Sequence, residues 1–345
     1  MVSFSDNEFS DLGLYITNEQ PSQVFVLVDK NTRKFCLPLL QKKLNTKIPT
    51  EIIEIKAGEK EKNIVNVTRL WETLAKKNAD RKSLLINLGG GVISDLGGFI
   101  ASTYKRGIPF INIPTTLLSM CDAAIGGKTG IDHDFYKNII GTFSLAEKTY
   151  IYPKFLETLP FAELRSGFAE MLKHGLVADA SHWKDLTRIK NLEWQNIEPL
   201  IKTSVKIKER IVDADPREEN VRKKLNFGHT IGHAVESLFL KRKNPIPHGE
   251  AVAMGMIAET HLSYLENLIS KEQEEDILTK IIFFYPKINI EIFKDIEIYN
   301  VMLNDKKNTR RKINFSLIKN VGNCIYNQPA SKSNVIESIK FYISL

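Results

Sequence analysis

His229 and His233 stand four residues apart in Leu225-Asn-Phe-Gly-His-Thr-Ile-Gly-His233, a segment whose apolar residues recur at helical spacing. Residues i and i+4 lie on one helical face about one turn apart, so both rings address the same volume. His248 follows Pro247 at what reads as the start of the next helix. Three imidazoles on neighbouring helices suit a divalent ion such as zinc, whose catalytic sites carry three protein ligands and an open position. A zinc-peptidase helix needs Glu directly after its first His as general base; Thr230 stands there, which argues against peptidase chemistry. A carboxylate also fits such a set. Glu170, in the amphipathic stretch Arg165–His174, is the foremost candidate and shares a helical face with Lys173. His174 is a rival ligand, and spacing alone leaves the choice open. His182 and His261 read as ordinary hydrogen-bonded histidines.

A second chemical signal is Gly89-Gly-Gly-Val-Ile-Ser-Asp-Leu-Gly-Gly98, which follows a strand-like run and opens a helix-like one. Bare backbone N–H groups at a helix N-terminus bind pyrophosphate, and glycine lets the phosphate approach because it has no Cβ. The match to the dinucleotide fingerprint is partial. Ser94 replaces the third glycine, and no acidic residue lies about 20 positions downstream for the ribose. A tight turn with no ligand accounts for the same glycines, so the motif indicates a variant of the Rossmann plan. Basic and amide residues in otherwise buried-looking segments form a third signal: Lys128, Lys137-Asn138, Lys173, Lys208, Arg222, Asn226 and Lys306. Singly, each lysine reads as solvated surface. Together they suit a small molecule carrying phosphate and carboxylate, since Arg binds carboxylates as a fork and Lys supplies point charge. Gly127-Lys-Thr resembles the end of a P-loop, but its spacing fails.

The elements that must position these groups fall into two textures. Gln23–Val28, Ser83–Leu88 and Pro109–Ile113 read as buried strands, and Glu61–Lys77 has helical spacing between the first two, which indicates a parallel α/β sheet. From Pro160 onward, Ala162–Leu176, Ile197–Ile211, Lys224–Leu240, Gly249–Leu265, Lys271–Phe284 and Asn334–Tyr342 read as helices. Residues 304–326 break that pattern with a basic loop, Asp305–Lys312, and two strand-like runs able to pair as a hairpin. The 345 residues are enough for two domains, and 43% hydrophobic with 26% charged residues is ordinary for a soluble globular enzyme. No uncharged run approaches the roughly 18 residues of a membrane span. The start shows no secretory leader, and three scattered cysteines make no disulfide framework, so a cytoplasmic setting is expected. The net charge of +7 is spread along the chain, without the basic helix, zinc-finger spacing or aromatic platform of a nucleic-acid binder.

Over nearly its whole length the chain resembles the 3-dehydroquinate synthase family of sugar-phosphate cyclases. The matching blocks are Gly89-Gly-Gly-Val-Ile-Ser-Asp-Leu, Thr103-Tyr-Lys-Arg-Gly, Pro114-Thr-Thr-Leu-Leu, Asp122 through Gly-Gly-Lys-Thr-Gly130, Lys137-Asn138, Arg165-Ser-Gly-Phe-Ala-Glu170, Arg222 through His233, and His248-Gly-Glu-Ala-Val. The resemblance implies a Rossmann-like, NAD-binding α/β domain over residues 1–159 and an all-helical metal- and substrate-binding domain over 160–345. It implies zinc, with cobalt as a substitute, on Glu170, His229 and His248, and makes His233 a substrate contact. NAD would lie on Gly90, Gly91 and Asp95, with Asp29, Glu59 and Lys62 toward ribose and adenine and with Thr115, Thr116, Thr158 and Leu159 adding contacts. The substrate, 3-deoxy-D-arabino-heptulosonate 7-phosphate, would be held by Asp122, Lys128, Lys137, Asn138, Lys173, Lys208, Arg222, Asn226, His233 and Lys306. Arg106 would reach the neighbouring subunit of a homodimer. The implied reaction is transient oxidation by NAD, β-elimination of phosphate, re-reduction, ring opening and aldol closure to 3-dehydroquinate, in the shikimate pathway.

The chain departs from the family's usual residues at Asp132 (usually Asn), Tyr136 (Gly), Leu145-Ala146 (Gln-Pro), Pro216 (Glu) and Asn220 (Gly). Asn tolerates positive φ, so a left-handed backbone at 220 is expected to survive the change. Cyclases of sugar phosphates without a carboxylate are the nearest rivals, and Arg222, Asn226 and Asp305-Lys306-Lys307 favour the carboxylate-bearing substrate. A metal-dependent polyol dehydrogenase would share the glycine turn and histidines, and would have little use for the lysines.

Overall fold

The structure is a computed structural model that describes residues 2–4, 9–44, 48–133, 136–303 and 313–345; the side chains of Lys43 and Tyr136 lie outside the description. The chain forms two compact units, Met1–Pro160 and Phe161–Leu345.

In the first unit a six-stranded parallel sheet is built from β1 (Val2–Phe4), β2 (Val24–Asp29), β3 (Thr50–Ile55), β4 (Leu84–Gly89), β5 (Phe110–Pro114) and β8 (Lys148–Ile151), in the order β1-β8-β5-β4-β2-β3. β4 and β5 are buried throughout and β2 up to Val28, which is why their sequences are rich in Val, Ile, Leu and Phe, with Asn87 and Asn112 as their only polar residues. Helices α1 (Ser10–Glu19), α2 (Lys30–Phe35), α3 (Leu37–Lys43), α4 (Ile64–Lys76) and α5 (Gly91–Thr103) connect them. The predicted helix over 61–77 is observed as α4, capped by the Asn63 side chain, after a separate 3₁₀ turn at Glu59–Glu61. The antiparallel pair β6 (Lys128–His133) and β7 (Tyr136–Phe143) stands apart from the main sheet.

Strand order reverses at β2 and β4: β3 lies to one side of β2, while β4, β5 and β8 run outward on the other. In open parallel sheets, ligands collect beyond the strand C-termini at such a reversal. Asp29 ends β2 and Gly89 ends β4, so the acid and the glycine turn flank that point. The polar residues inside the two central strands pair across them: Asn87 Nδ2 donates to Asn112 Oδ1 at 2.9 Å, and Asn112 Nδ2 to the Ala124 carbonyl at 3.3 Å.

The second unit holds α6 (Phe161–Ala178), α7 (Ala180–Leu186), α8 (Trp194–Ala214), α9 (His229–Lys241), α10 (His248–Leu265), α11 (Lys271–Phe284), α12 (Asp295–Leu303) and α13 (Lys332–Ser344), with one antiparallel hairpin, β9 (Phe315–Asn320) and β10 (Asn323–Gln328). α10 is the central helix, buried at every residue from Gly249 to Ser263. Its glycines set how closely neighbours approach. A Cβ on Gly255 would lie 1.9 Å from the Gly228 carbonyl oxygen, and one on Gly249 would lie 2.1 Å from the Ser166 carbonyl oxygen. The Gly249 N–H also donates to Ser166 Oγ at 2.9 Å, which pins α10 to α6.

The helix predicted over 224–240 is interrupted. Val221–Asn226 forms a 3₁₀ turn, Gly228 adopts φ 77°, and α9 begins only at His229. The hairpin expected after the basic loop is present and turns through Gly322 at φ 83°; the loop Asp305–Lys312, with Lys306, lies outside the described residues. α7 and α12 carry no long apolar period and were not legible. Among the described residues no helix is long and apolar enough to cross a membrane.

Candidate metal centre and dinucleotide turn

In the second unit, three helices bring the metal candidates together. Glu170 on α6 is fully buried, and its Oε1 lies 3.5 Å from His229 Nε2 and 3.6 Å from His248 Nε2. His233 joins the same cluster: one ring nitrogen from each of His229, His233 and His248 lies within 4.8 Å of the others. Lys173, one turn along α6, forms an ion pair with Glu170 and is itself buried. His229 Nδ1 lies 3.2 Å from the Phe227 carbonyl. A carbonyl can only accept, so Nδ1 carries the proton and Nε2 presents its lone pair toward Glu170. His248 Nδ1 lies 3.4 Å from Glu236 Oε2. Metal-bound histidines characteristically donate their far N–H to a carbonyl or carboxylate in this way. Burial disfavours charge on His248, yet Glu236 and Glu170 outweigh it and hold its pKa above the ordinary histidine value. Buried carboxylates at an imidazole cluster are the chemistry that a divalent cation neutralises, so the donor set fits zinc or cobalt.

Of the expected substrate residues in this unit, Lys208 and Arg222 are buried. Arg222 donates from Nη1 to the Pro216 carbonyl at 2.6 Å, and Asn226 Nδ2 donates to Glu218 Oε1 at 2.6 Å. Asp215 organises this loop, accepting the N–H groups of Glu219, Asn220 and Arg222 at 2.7–3.0 Å. Burial raises the Asp215 pKa, and those three N–H groups with the Arg222 charge outweigh it, holding the carboxyl below its ordinary range. The expected left-handed backbone at Asn220 is not found: its φ is −134°, and the positive φ falls on Glu218 at 60°. Asp215 instead ties the loop together through these three N–H groups.

In the first unit, α5 starts at Gly91 directly after β4, with Gly90 as its extended N-cap. A Cβ on Gly90 would meet Thr116 Cγ2 at 2.9 Å, while one on Gly91 would make only an ordinary contact with Ala123. Thr115 N–H donates to the Gly89 carbonyl, which holds the β5 end beside the turn. Lys62 is buried and bonds Asp95 Oδ2 at 2.9 Å, with Glu59 at 3.4 Å and Asp132 at 3.8 Å. Burial lowers the Lys62 pKa, but these carboxylates outweigh it and raise it. Glu59 also lies 3.9 Å from Lys137, and Asp132 Oδ1 accepts the Asn138 N–H at 2.8 Å, where Asn138 has φ 52°. Expected nucleotide residues (Glu59, Lys62, Asp95) and expected substrate residues (Lys137, Asn138) therefore share one network. Asp29 is occupied at Oδ1 as the cap of α2, accepting from Asn31 and Thr32 at 2.8 Å. Thr158 and Leu159 end a 3₁₀ turn, Asp122 lies in a π-helical turn, and Lys128 opens β6. Arg106 is exposed, and it and Lys105 both have left-handed backbones, at φ 66° and 50°.

Three contributors escaped the sequence reading. Glu236 lies seven residues after His229, two turns along the same face, and that period was a usable signal. Glu259 is the one acid between Ala251 and Leu262, directly after the apolar run Ala251–Ala258. Nothing in the local sequence marks Asp215. His182 and His261 are core residues: His182 Nε2 meets Ser204 Oγ at 2.8 Å, and His261 Nδ1 meets buried Glu274 at 2.5 Å.

A parallel α/β unit with a glycine turn at its strand reversal, followed by a helical unit with converging Glu and His donors, is a fold that solved synthases and alcohol dehydrogenases share. Solved structures with this fold include a 2-deoxy-scyllo-inosose synthase complexed with carbaglucose-6-phosphate, NAD⁺ and Co²⁺ (22% identity, TM-score 0.87, covering 99% of this chain and 96% of that one). Another is a 2-epi-5-epi-valiolone synthase from Streptomyces hygroscopicus subsp. jinggangensis with NAD⁺ and Zn²⁺ bound (23%, TM-score 0.84, 100% and 96%). Residues 52–166 match the 3-dehydroquinate synthase N-terminal family and residues 167–308 its C-terminal family. The 3-dehydroquinate synthase of Parabacteroides distasonis is 41% identical over 339 residues, covering 96% of this chain and 95% of that protein. The chain belongs to the 3-dehydroquinate synthase family.

Proposed function

We propose that this chain converts 3-deoxy-D-arabino-heptulosonate 7-phosphate into 3-dehydroquinate and phosphate, a carbon–oxygen lyase reaction that serves aromatic amino-acid biosynthesis, with NAD and zinc as cofactors. The observation that carries the reading is the convergence of Glu170, His229 and His248 in a chain of this family. When bound, the metal supplies Lewis acidity at vicinal hydroxyls and the nicotinamide accepts and returns a hydride, so NAD is not consumed. Glu170, His229 and His248 are assigned to the metal and His233 to the substrate; cobalt suits the same donors.

Gly90 and Gly91 at the α5 N-terminus cradle the pyrophosphate, with Thr115 and Thr116 beside them and Asp95, Lys62, Glu59 and Asp29 toward the ribose and adenine. Thr158 and Leu159 add contacts. In the helical unit Lys173, Lys208, Arg222 and Asn226 orient the anionic substrate, and Lys306 completes the set. In the α/β unit Asp122, Lys128, Lys137 and Asn138 take the same role. Holding the reacting conformer in this way contributes several kcal/mol, on the order known for oriented intramolecular reactions. We assign the chain to a homodimer in which Arg106 serves the neighbouring copy. The exposed apolar side chains Ile139, Ile140, Phe143 and Leu145 support a covered surface in the α/β unit. A cytoplasmic setting accords with this biosynthetic role.

The test is phosphate release from 3-deoxy-D-arabino-heptulosonate 7-phosphate by the purified protein with NAD and zinc. Stoichiometric 3-dehydroquinate, lost on chelation, restored by zinc or cobalt and without net NADH, is the expected result. NADH accumulating without phosphate would make it a dehydrogenase. No turnover by protein that binds zinc and NAD would redirect the assignment to carboxylate-free sugar phosphates.

A further inference from the structure

We infer that Glu259 is a positioning residue for His229, acting on that ring through a single peptide unit. Glu259 lies on α10, is fully buried, and belongs to neither the expected metal set nor the expected substrate set. Its Oε2 accepts the Gly228 N–H at 2.6 Å and its Oε1 the Ile231 N–H at 3.0 Å. Gly228 is the N-cap of α9 and has no side chain to satisfy the first turn, and Ile231 is the third helical residue. In a capping box these two N–H groups are served by the helix's own N-cap and N3 side chains. Here one carboxylate from a neighbouring helix serves both. The glycine contact between Gly255 and the Gly228 carbonyl brings α10 close enough for it to reach.

The consequence follows from which peptide is held. The Gly228 N–H and the Phe227 carbonyl belong to the same peptide unit, and that carbonyl faces His229 Nδ1 at 3.2 Å. Glu259 therefore fixes the plane of the group that orients the imidazole. Its negative charge also polarises that peptide, making the Phe227 oxygen a stronger acceptor and Nε2 a more basic donor. His248 has Glu236 directly at its Nδ1, 3.4 Å away. For His229 the carboxylate acts from one peptide further out. The same bonds hold the α9 N-terminus at the spot where its first residue must deliver a ligand.

The inference rests on the proposed role of His229 as a metal ligand, and the experiment separates the two. Co²⁺ affinity, by competition with a chelator, and the Co²⁺ d–d absorption bands are measured on the full chain, its Glu259→Gln and His229→Ala variants, and Ile339→Ala. Ile339 is buried on α13, which carries no ligand, and serves as the comparison for general destabilisation. Glu259→Gln keeps the size and one acceptor but loses the charge. It should bind Co²⁺ about 10–100-fold more weakly, the range typical of lost outer partners, with shifted bands. Ile339→Ala should bind as the parent does, whatever its loss in Tm. If Glu259→Gln does not fold, the comparison is read on Glu259→Asp, which keeps the charge and loses reach to at least one N–H. Unchanged affinity and bands in the Glu259 variant, with binding lost in His229→Ala, would overturn the inference alone. Unchanged binding in His229→Ala would overturn the ligand assignment itself.

Discussion

Gly255→Ala and Gly13→Ala are the same chemical change with opposite expected signs. Both glycines sit inside helices, where alanine is favoured over glycine by about 1 kcal/mol. Nothing lies within 4 Å of a Cβ at Gly13, so α1 should gain most of that, raising stability by roughly 0.5–1 kcal/mol. At Gly255 the new Cβ would sit 1.9 Å from the Gly228 carbonyl oxygen, and Gly232 N follows at 2.9 Å. Both neighbours are backbone, so relief requires α9 and α10 to separate by about 1.5 Å to reach an ordinary 3.4 Å contact. Overpacking of this kind costs about 1–3 kcal/mol, which exceeds the propensity gain, so the variant should lose stability in urea denaturation. A shift of that size also moves His229 relative to His248 on α10, where Glu170 now lies 3.5 and 3.6 Å from the two rings. Zinc affinity should fall with stability, whereas Gly13→Ala should leave zinc affinity unchanged. A Gly255→Ala protein that is as stable as the parent and binds zinc equally well would refute the claim that this glycine contact sets the ligand helices.

Asp132→Asn keeps an acceptor for the Asn138 N–H and should leave KM for the sugar phosphate within about twofold. Asp132→Ala removes it and should raise KM roughly tenfold, the equivalent of ~1.4 kcal/mol for one hydrogen bond to a charged group; equal KM in the two variants would show that Asp132 does not hold the Lys137-Asn138 segment. Asp215 has a folded-state pKa depressed below its unfolded value, so its stabilisation is present above the ordinary Asp pKa and lost as pH falls through the depressed one. Asp215→Ala should therefore lower Tm at neutral pH, by the equivalent of about 1–3 kcal/mol for the unpaired N–H groups, and flatten the fall of Tm below about pH 4. A Tm profile parallel to the parent's through that acid range would count against the role.

The sequence by itself determined the elements whose physics is local or periodic. Mostly apolar runs marked β2, β4 and β5 because strands buried on both faces have no solvent-facing side to show. The four-residue spacing of His229 and His233 placed both on one face because a helix repeats every 3.6 residues. The glycine turn was legible from strand, turn and helix in succession, and the ordered blocks of Gly, His, Lys and Arg carried the family. Tertiary structure decided what depends on contacts between distant segments. Helix period alone ran α9 back to Lys224, whereas Gly228 takes a left-handed backbone against α10 and the helix starts at His229, the proposed metal ligand. Asn at 220 reads as a benign replacement for glycine because it tolerates positive φ, but the positive φ falls on Glu218, and Asp215 holds the Asn220 N–H from five residues away. Glu236 and Glu259 gained their roles only when α9 and α10 packed together, since a carboxylate's partners are set by three-dimensional proximity rather than by its neighbours in sequence. Residue types specified which chemistry was possible; the close crossing of α6, α9 and α10 put the donors within reach of one ion.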